Sequence, residues 1–284
     1  MQRLSLRLKG NNPHQLMMSA TPIPRTLAMS YYADLDVSVI DELPPGRSTP
    51  RTRLFSQERR EQVTAAVRAA VAAGRQAYWV CPVIEESPKL ELQAAIATWT
   101  RLCAELAGLR VGLMHGRLKS DDKTAVMAAF VAGAIDVLVA TTVIEVGVDV
   151  ANATLIVIEH AERFGLAQLH QLRGRVGRAA HASICVLLYQ QPLSESARAR
   201  LKVIYEQRDG FEIARQDLRQ RGPGEFVGSR QSGLPLLRFA DLDSDFDLVE
   251  LARGVAADWL SFHPQWVTVH LQRWLGGRHD LLKA

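Results

Sequence analysis

From Gln76 onward, short runs of apolar residues alternate with stretches in which apolar positions recur every third or fourth residue. The runs 76–83, 110–114, 136–140, 154–158 and 183–189 are nearly continuous in apolar character, the pattern of strands covered on both faces. Ahead of the first, Val63, Val67, Ala70 and Val71 share one helical face, and Gly74 stands where a helix stops. A second helix is predicted from about Leu90 to Leu106, with Ile96, Trp99, Cys103 and Leu106 inward and Gly108 just beyond. A third starts near Ser120, carries Val126, Met127, Phe130 and Val131, and stops at Gly133. Strands and helices in this alternation predict an α/β fold, a doubly wound parallel sheet, over residues 46–190.

The flanks read differently. LPPGRSTP at 43–50 is a Pro/Gly-rich break, and the 45 residues before it offer one buried strand, 16–18, and one helix, 24–32, opened by Pro24. A strand and a helix alone cannot bury their own faces. Residues 1–45 are therefore expected to be the C-terminal remnant of a preceding domain, with Met1 the start of a fragment. After Tyr189, residues 194–219 look helical and RGPGEFVGSRQSG at 221–233 is glycine-rich, which predicts a helical hairpin and loop over 191–238. A helical tail follows over 239–284, where Trp259, Trp266 and Trp274 are expected to pack in a small helical cap rather than stack on bases.

Composition changes this picture little. At 48% hydrophobic and 23% charged residues the chain lies in the ordinary globular range, which excludes disordered and fibrous classes. No apolar run approaches the roughly 20 residues of a membrane span, and the first residues lack the apolar block of a secretory signal, so a cytoplasmic protein with no membrane partner is expected. Cys81, Cys103 and Cys185 read as reduced core residues, and His263 and His270, seven apart, lack two further ligands, so no metal is expected. Charge is more telling in its distribution. Between Arg198 and Arg238 nine Lys or Arg face five Asp or Glu, an excess equal to the whole chain's net charge of +4. Such a basic stretch suits a polyanion.

Four strings carry chemistry. QLHQLRGRVGR at 168–178 ends in a glycine-spaced arginine pair, Arg175 and Arg178, preceded by Gln171; guanidinium forks match phosphoryl oxygens, and the glycines let backbone approach closely. Taken alone, the pair would be solvated charges at a helix end. ATTVIEVGVDV at 140–150 lies at the carboxyl end of a predicted strand, where open α/β sheets place ligands, and Thr141 and Thr142 can offer hydroxyls to phosphate. Ser19-Ala20-Thr21 precedes a loop stiffened by Pro22 and Pro24, and His115-Gly116-Arg117 ends another strand.

In this order the four strings resemble motifs III to VI of superfamily-two helicases. More narrowly, HQLMMSATPIPRTLAMSYYADLDVSVIDELPPGR at 14–47, RQAYWVCPVIEES at 75–87 and RGPGEFVGSRQSG at 221–233 resemble the bacterial replication-fork helicases of the RecG family. Transcription-repair coupling translocases share TPIPRTL and LRGRVGR, but Arg230-Gln231 after RGPGE favours the RecG family.

The resemblance implies a RecA-like second motor domain followed by a translocation hairpin. It implies that Arg175 and Arg178 act as arginine fingers across a cleft between two motor domains and that Gln171 senses the γ-phosphate. Gly147 and Asp149 would couple nucleotide to DNA, and Ser19, Ala20 and Thr21 would link hydrolysis to movement. Thr142 and His115 would face DNA, and Arg221, Arg230 and Gln231 would follow it during translocation. ATP and Mg2+ are the implied cofactors, held mainly by a first motor domain. The implied partners are branched double-stranded DNA and the protein's own N-terminal motor and wedge domains.

The sequence departs from the family pattern in having no GxxxxGK[ST] loop and no Asp-Glu box before residue 14. Fingers without a cradle act on a nucleotide that is not held, so the chain by itself is expected to be inactive. Two other readings remain: a non-enzymatic module that docks nucleic acid or protein through 198–238, and an unrelated α/β enzyme, which lacks a nucleophile or metal cluster.

Overall fold

The computed structural model describes residues 49–82, 88–141, 150–177, 182–221 and 246–275, together with Leu16, Met18, Ser38 and Ile40. Six strands, β1 (Arg51–Ser56), β2 (Gln76–Val80), β3 (Val111–Met114), β4 (Val137–Ala140), β5 (Ala153–Glu159) and β6 (Ile184–Tyr189), pair in parallel in the order β1-β6-β5-β2-β4-β3. Side chains alternate across the sheet. Trp79, Val137, Val157 and Leu188 face α1 (Arg60–Ala72) and α2 (Pro88–Glu105), whereas Tyr78, Leu138, Ile156 and Leu187 face α3 (Ser120–Val131) and α4 (Leu166–Arg173). Both faces are covered, so the predicted doubly wound sheet forms.

The core continues past residue 190. In α5 (Glu195–Glu206) Leu201 and Ile204, and in α6 (Gly210–Arg221) Ile213, are buried in the same cluster as β5 and β6. The helical stretch 194–219 is two helices, separated at 207–209, where Asp209 accepts the amide of Phe211 and restarts the chain. The expected stops at Gly74, Gly108 and Gly133 all take positive φ.

Several expectations need correction. β1 escapes the apolar-run criterion because it is an edge strand whose Arg51 and Arg53 are exposed. The inward stripe of α2 is Ala95 and Leu102, continued by Leu106 just past its end, with Trp99 donating from Nε1 to the Val111 carbonyl; Ile96 lies on the rim and is 41% exposed. In α3 only Phe130 is fully buried, and Val131, one residue on, points out. Leu16 and Met18, read as part of a buried strand, lie outside any strand and are 85% and 87% exposed: a lone apolar stretch has no face to be buried against. The predicted helix 24–32 lies outside the described residues.

A second compact unit contains α7 (Phe246–Phe262) and α8 (Pro264–Leu275). Trp259 meets Trp266 edge-on at 5.7 Å, and His263 stacks on Trp266 at 4.0 Å, so these rings pack together as expected; His270 stands edge-on to Trp259. The side chain of Trp274 lies outside the described residues. Cys81, Cys103 and Cys185 are free thiols, Cys103 only half-buried. Among the described residues no helix is long and apolar enough to cross a membrane.

Candidate phosphate site at the carboxyl edge of the sheet

Parallel pairing brings the carboxyl ends of all six strands to one edge; Thr141 and His115 follow strands directly there, and the segment carrying Gln171 and Arg175 follows β5. β5, buried along all seven residues, ends at Glu159, a carboxylate 1% exposed. Burial alone would push its pKa up. Arg60 and Arg101, each 2.5 Å from Oε1, and the Trp79 indole, which donates to Oε2 at 2.7 Å, outweigh that and hold it below the usual carboxylate range. Arg60 also pairs with Glu105 of α2. The cluster ties α1, α2 and β5 together where the chain leaves the sheet. Burial first, and the charge of Glu159 second, lift the nearby Cys81 thiol to about 12, with Arg60 and Arg101 opposing.

His160 then takes a left-handed backbone, φ 52°, and its Nδ1 lies 3.2 Å from Glu162. One 3-10 turn later, Gly165 opens α4 and Gln168 accepts its amide through the side chain at 3.1 Å. Leu166, Leu169 and Leu172 seat α4 in the core. Arg173 falls on that same buried face, 3% exposed. Its Nη1 donates to the carbonyls of Ile204 and Gln207, both at 2.8 Å, and its Nη2 lies 3.1 Å from Nδ1 of His170. Carbonyls at the end of α5 and at Gln207 just beyond it lack helical partners, so one guanidinium nitrogen, Nη1, satisfies two of them. Burial first, and the neighbouring Arg173 second, push His170 down to about 4, leaving a neutral ring whose Nδ1 accepts. Sequence reasoning passed over Arg173, although a charge seven residues after Leu166, on an apolar helix face, was the available signal.

Gln171 and Arg175 emerge half-buried at the end of this anchored helix. Arg175 donates its amide to the Leu172 carbonyl at 3.0 Å, Val176 is buried, and Gly177 turns the chain at φ 81°, a conformation that side chains with a Cβ resist. The arginine thus sits on a fixed turn rather than a frayed end.

The other candidates scatter. His115, half-buried, follows β3 at the opposite edge of the sheet; three strand spacings separate β3 from β5, about 14 Å. Thr141 is corrected: its side chain is fully buried, its amide donates to the Met114 carbonyl, and its hydroxyl cannot reach a phosphate. Arg221 is the last residue of α6, its side chain outside the described residues. Arg178, Thr142, Gly147, Asp149, Ser19, Ala20, Thr21, Arg230 and Gln231 also lie outside them.

Comparison with known proteins adds the following. Residues 57–180 match the helicase conserved C-terminal domain, and residues 207–271 match the family described as ATP-dependent DNA helicase RecG, domain 3, C-terminal. The chain is 56% identical to the ATP-dependent DNA helicase RecG of Acidithiobacillus ferridurans over 98% of its own length and 41% of the relative's. With the RecG of Escherichia coli (strain K12) identity is 54%, over 96% and 40%, and with that of Bacillus subtilis (strain 168) 48%, over 93% and 39%. The chain spans about two fifths of the length of these curated relatives. A solved structure of RecG bound to a three-way DNA junction superposes with a TM-score of 0.65 at 47% identity, covering 82% of this chain and 30% of that one.

Proposed function

Because the chain belongs to the RecG family of DNA helicases, we propose that it supplies the second motor domain and translocation element of an ATP-dependent helicase that remodels branched DNA, replication forks and Holliday junctions among them. The observation that carries this reading is Arg173, which locks the end of α4, with Gln171 and Arg175, to the end of α5. A phosphate event at the α4 turn and a movement of the α5–α6 hairpin are thereby properties of one rigid piece. The junction held by the solved relative supports the branched substrate.

Arg175 and Gln171 fit a polyphosphate: one permanent cation with a planar fork on the turn after α4, and one amide in the last turn of α4. In this reading Arg175 and Arg178 neutralise charge that builds on the γ-phosphate of ATP and Gln171 registers its presence. Mg2+ would share that neutralisation, held with the nucleotide by the phosphate loop and acidic box of a first motor domain. Gly147 and Asp149, with Ser19, Ala20 and Thr21, carry the change toward DNA. Thr142 and His115 meet the DNA, and Arg221, Arg230 and Gln231 follow its phosphates.

The test is ATP hydrolysis in the presence of a branched DNA, for the chain alone, for the chain mixed with the N-terminal motor and wedge portion of a RecG relative, and for that mixture with Arg178→Ala. Activity only in the unsubstituted mixture is expected. Hydrolysis by the chain alone would mean that it holds a nucleotide cradle of its own and would remove the split-motor reading; an Arg178→Ala mixture as active as the original would remove the finger role and favour a docking module.

A further inference from the structure

Away from the α4 turn, a cavity of about 430 Å3 opens between the edge strand β1 and α5. That lies within the roughly 300–1,000 Å3 range of small-ligand sites. Leu54 of β1, Tyr189 at the end of β6 and the buried Leu201 line its apolar side. Arg198, Lys202 and Tyr205 line it from α5, and with Leu201 they fall at positions i, i+3, i+4 and i+7, one face of the helix. Arg198 and Lys202 are exposed, and Tyr205 is 53% exposed, a large ring left in water. No carboxylate appears among the described residues that line the cavity.

Two cations and two phenol rings over an apolar floor match the chemistry of single-stranded nucleic acid, whose phosphates need charge and whose unstacked bases need a flat apolar partner. Duplex DNA keeps its bases paired and has nothing to offer the rings. An acidic peptide would use the cations, but it would need an aromatic or aliphatic anchor of its own to use the floor.

We infer that the groove between β1 and α5 is an accessory site for single-stranded DNA, with room for about one base and its phosphate: Tyr205 stacks the base, and Arg198 and Lys202 hold the flanking phosphates. The site lies outside the strings that resemble helicase motifs. It rests on the proposed helicase reading in one respect only, since separating a branched substrate yields single strands for it to hold.

The experiment needs no ATP, so its outcome is separate from that of the hydrolysis test. Fluorescein-labelled dodecathymidylate is titrated with the 284-residue chain at several salt concentrations, with fluorescence anisotropy as readout. A duplex of the same length and a glutamate-rich peptide ending in phenylalanine are titrated in parallel. The expected results are at least fivefold weaker oligothymidylate binding for Tyr205→Ala, and a salt slope shallower by about 0.7 for Lys202→Gln. Duplex affinity changes less than twofold in Tyr205→Ala. Unfolding midpoints of both variants match the parent because both side chains project into solvent. Oligothymidylate affinity unchanged in both variants overturns the proposal. So does a peptide that binds more tightly than the oligonucleotide and loses affinity in the same variants.

Discussion

The guanidinium of Arg173, at the end of α4, donates to the carbonyl of Ile204 in α5 at 2.8 Å from a site that is 3% exposed. Arg173→Ala leaves that carbonyl and the one of Gln207 without their donor inside the core. It is expected to cost about 3 kcal/mol, as for one partner removed from a buried charged hydrogen-bond set. Arg173→Lys should recover part of the loss, since one ammonium can meet the two carbonyls that Nη1 serves but not also the His170 ring beside Nη2. Urea unfolding checks both, and an Arg173→Ala chain as stable as the parent would show that the contact contributes nothing to stability.

Glu159 holds Arg60, Arg101 and the Trp79 indole. Glu159→Gln is expected to destabilise by about 3 kcal/mol, because it leaves the largely buried Arg60 with Glu105 as its one remaining carboxylate among the described residues; the half-exposed Arg101 can turn to water. Combining Glu159→Leu with Arg60→Met should therefore be milder than the sum of the two single changes. Strict additivity in thermal or urea unfolding would show that the two groups do not interact.

Acid stability should carry the mark of His170. Its folded pKa of about 4 lies below the usual 6.5, so the unfolded chain binds its proton more tightly. The stability this group contributes is complete above pH 6.5 and is lost as pH falls toward 4. Unfolding midpoints measured across that window should decline in the parent and decline less in His170→Gln. Equal slopes would mean that the ring titrates alike folded and unfolded.

Gly177 turns the chain at φ 81°, and Gly177→Ala is expected to cost about 1–2 kcal/mol of strain. Gly177→Asn should cost less, because its side chain tolerates the left-handed region. Circular-dichroism melts of the two variants decide it; an alanine variant no less stable than the asparagine variant would contradict the strained turn.

Much of this protein was set by residue type along the chain. The parallel sheet was legible because strands covered on both faces must be apolar almost throughout, and the helix ends because Gly74, Gly108 and Gly133 supply a backbone that other residues avoid. The glycine-spaced arginines after α4 and the basic stretch from Arg198 were legible as chemistry, since charge and its spacing do not depend on the fold. The partners of those residues were decided only by tertiary structure. Arg173 and Arg175 stand two apart in one string, yet one closes α5 from inside the core and the other is half-buried at the turn, and Thr141 lies wholly buried beside the segment whose hydroxyls seemed available. β1 escaped notice because an edge strand has a neighbour on one side only and need not be apolar. Sequence periodicity tells which face of an element is buried; which element covers it, and which carbonyls are left there for a charge to satisfy, follows from strand order and helix ends that meet only when the chain has folded.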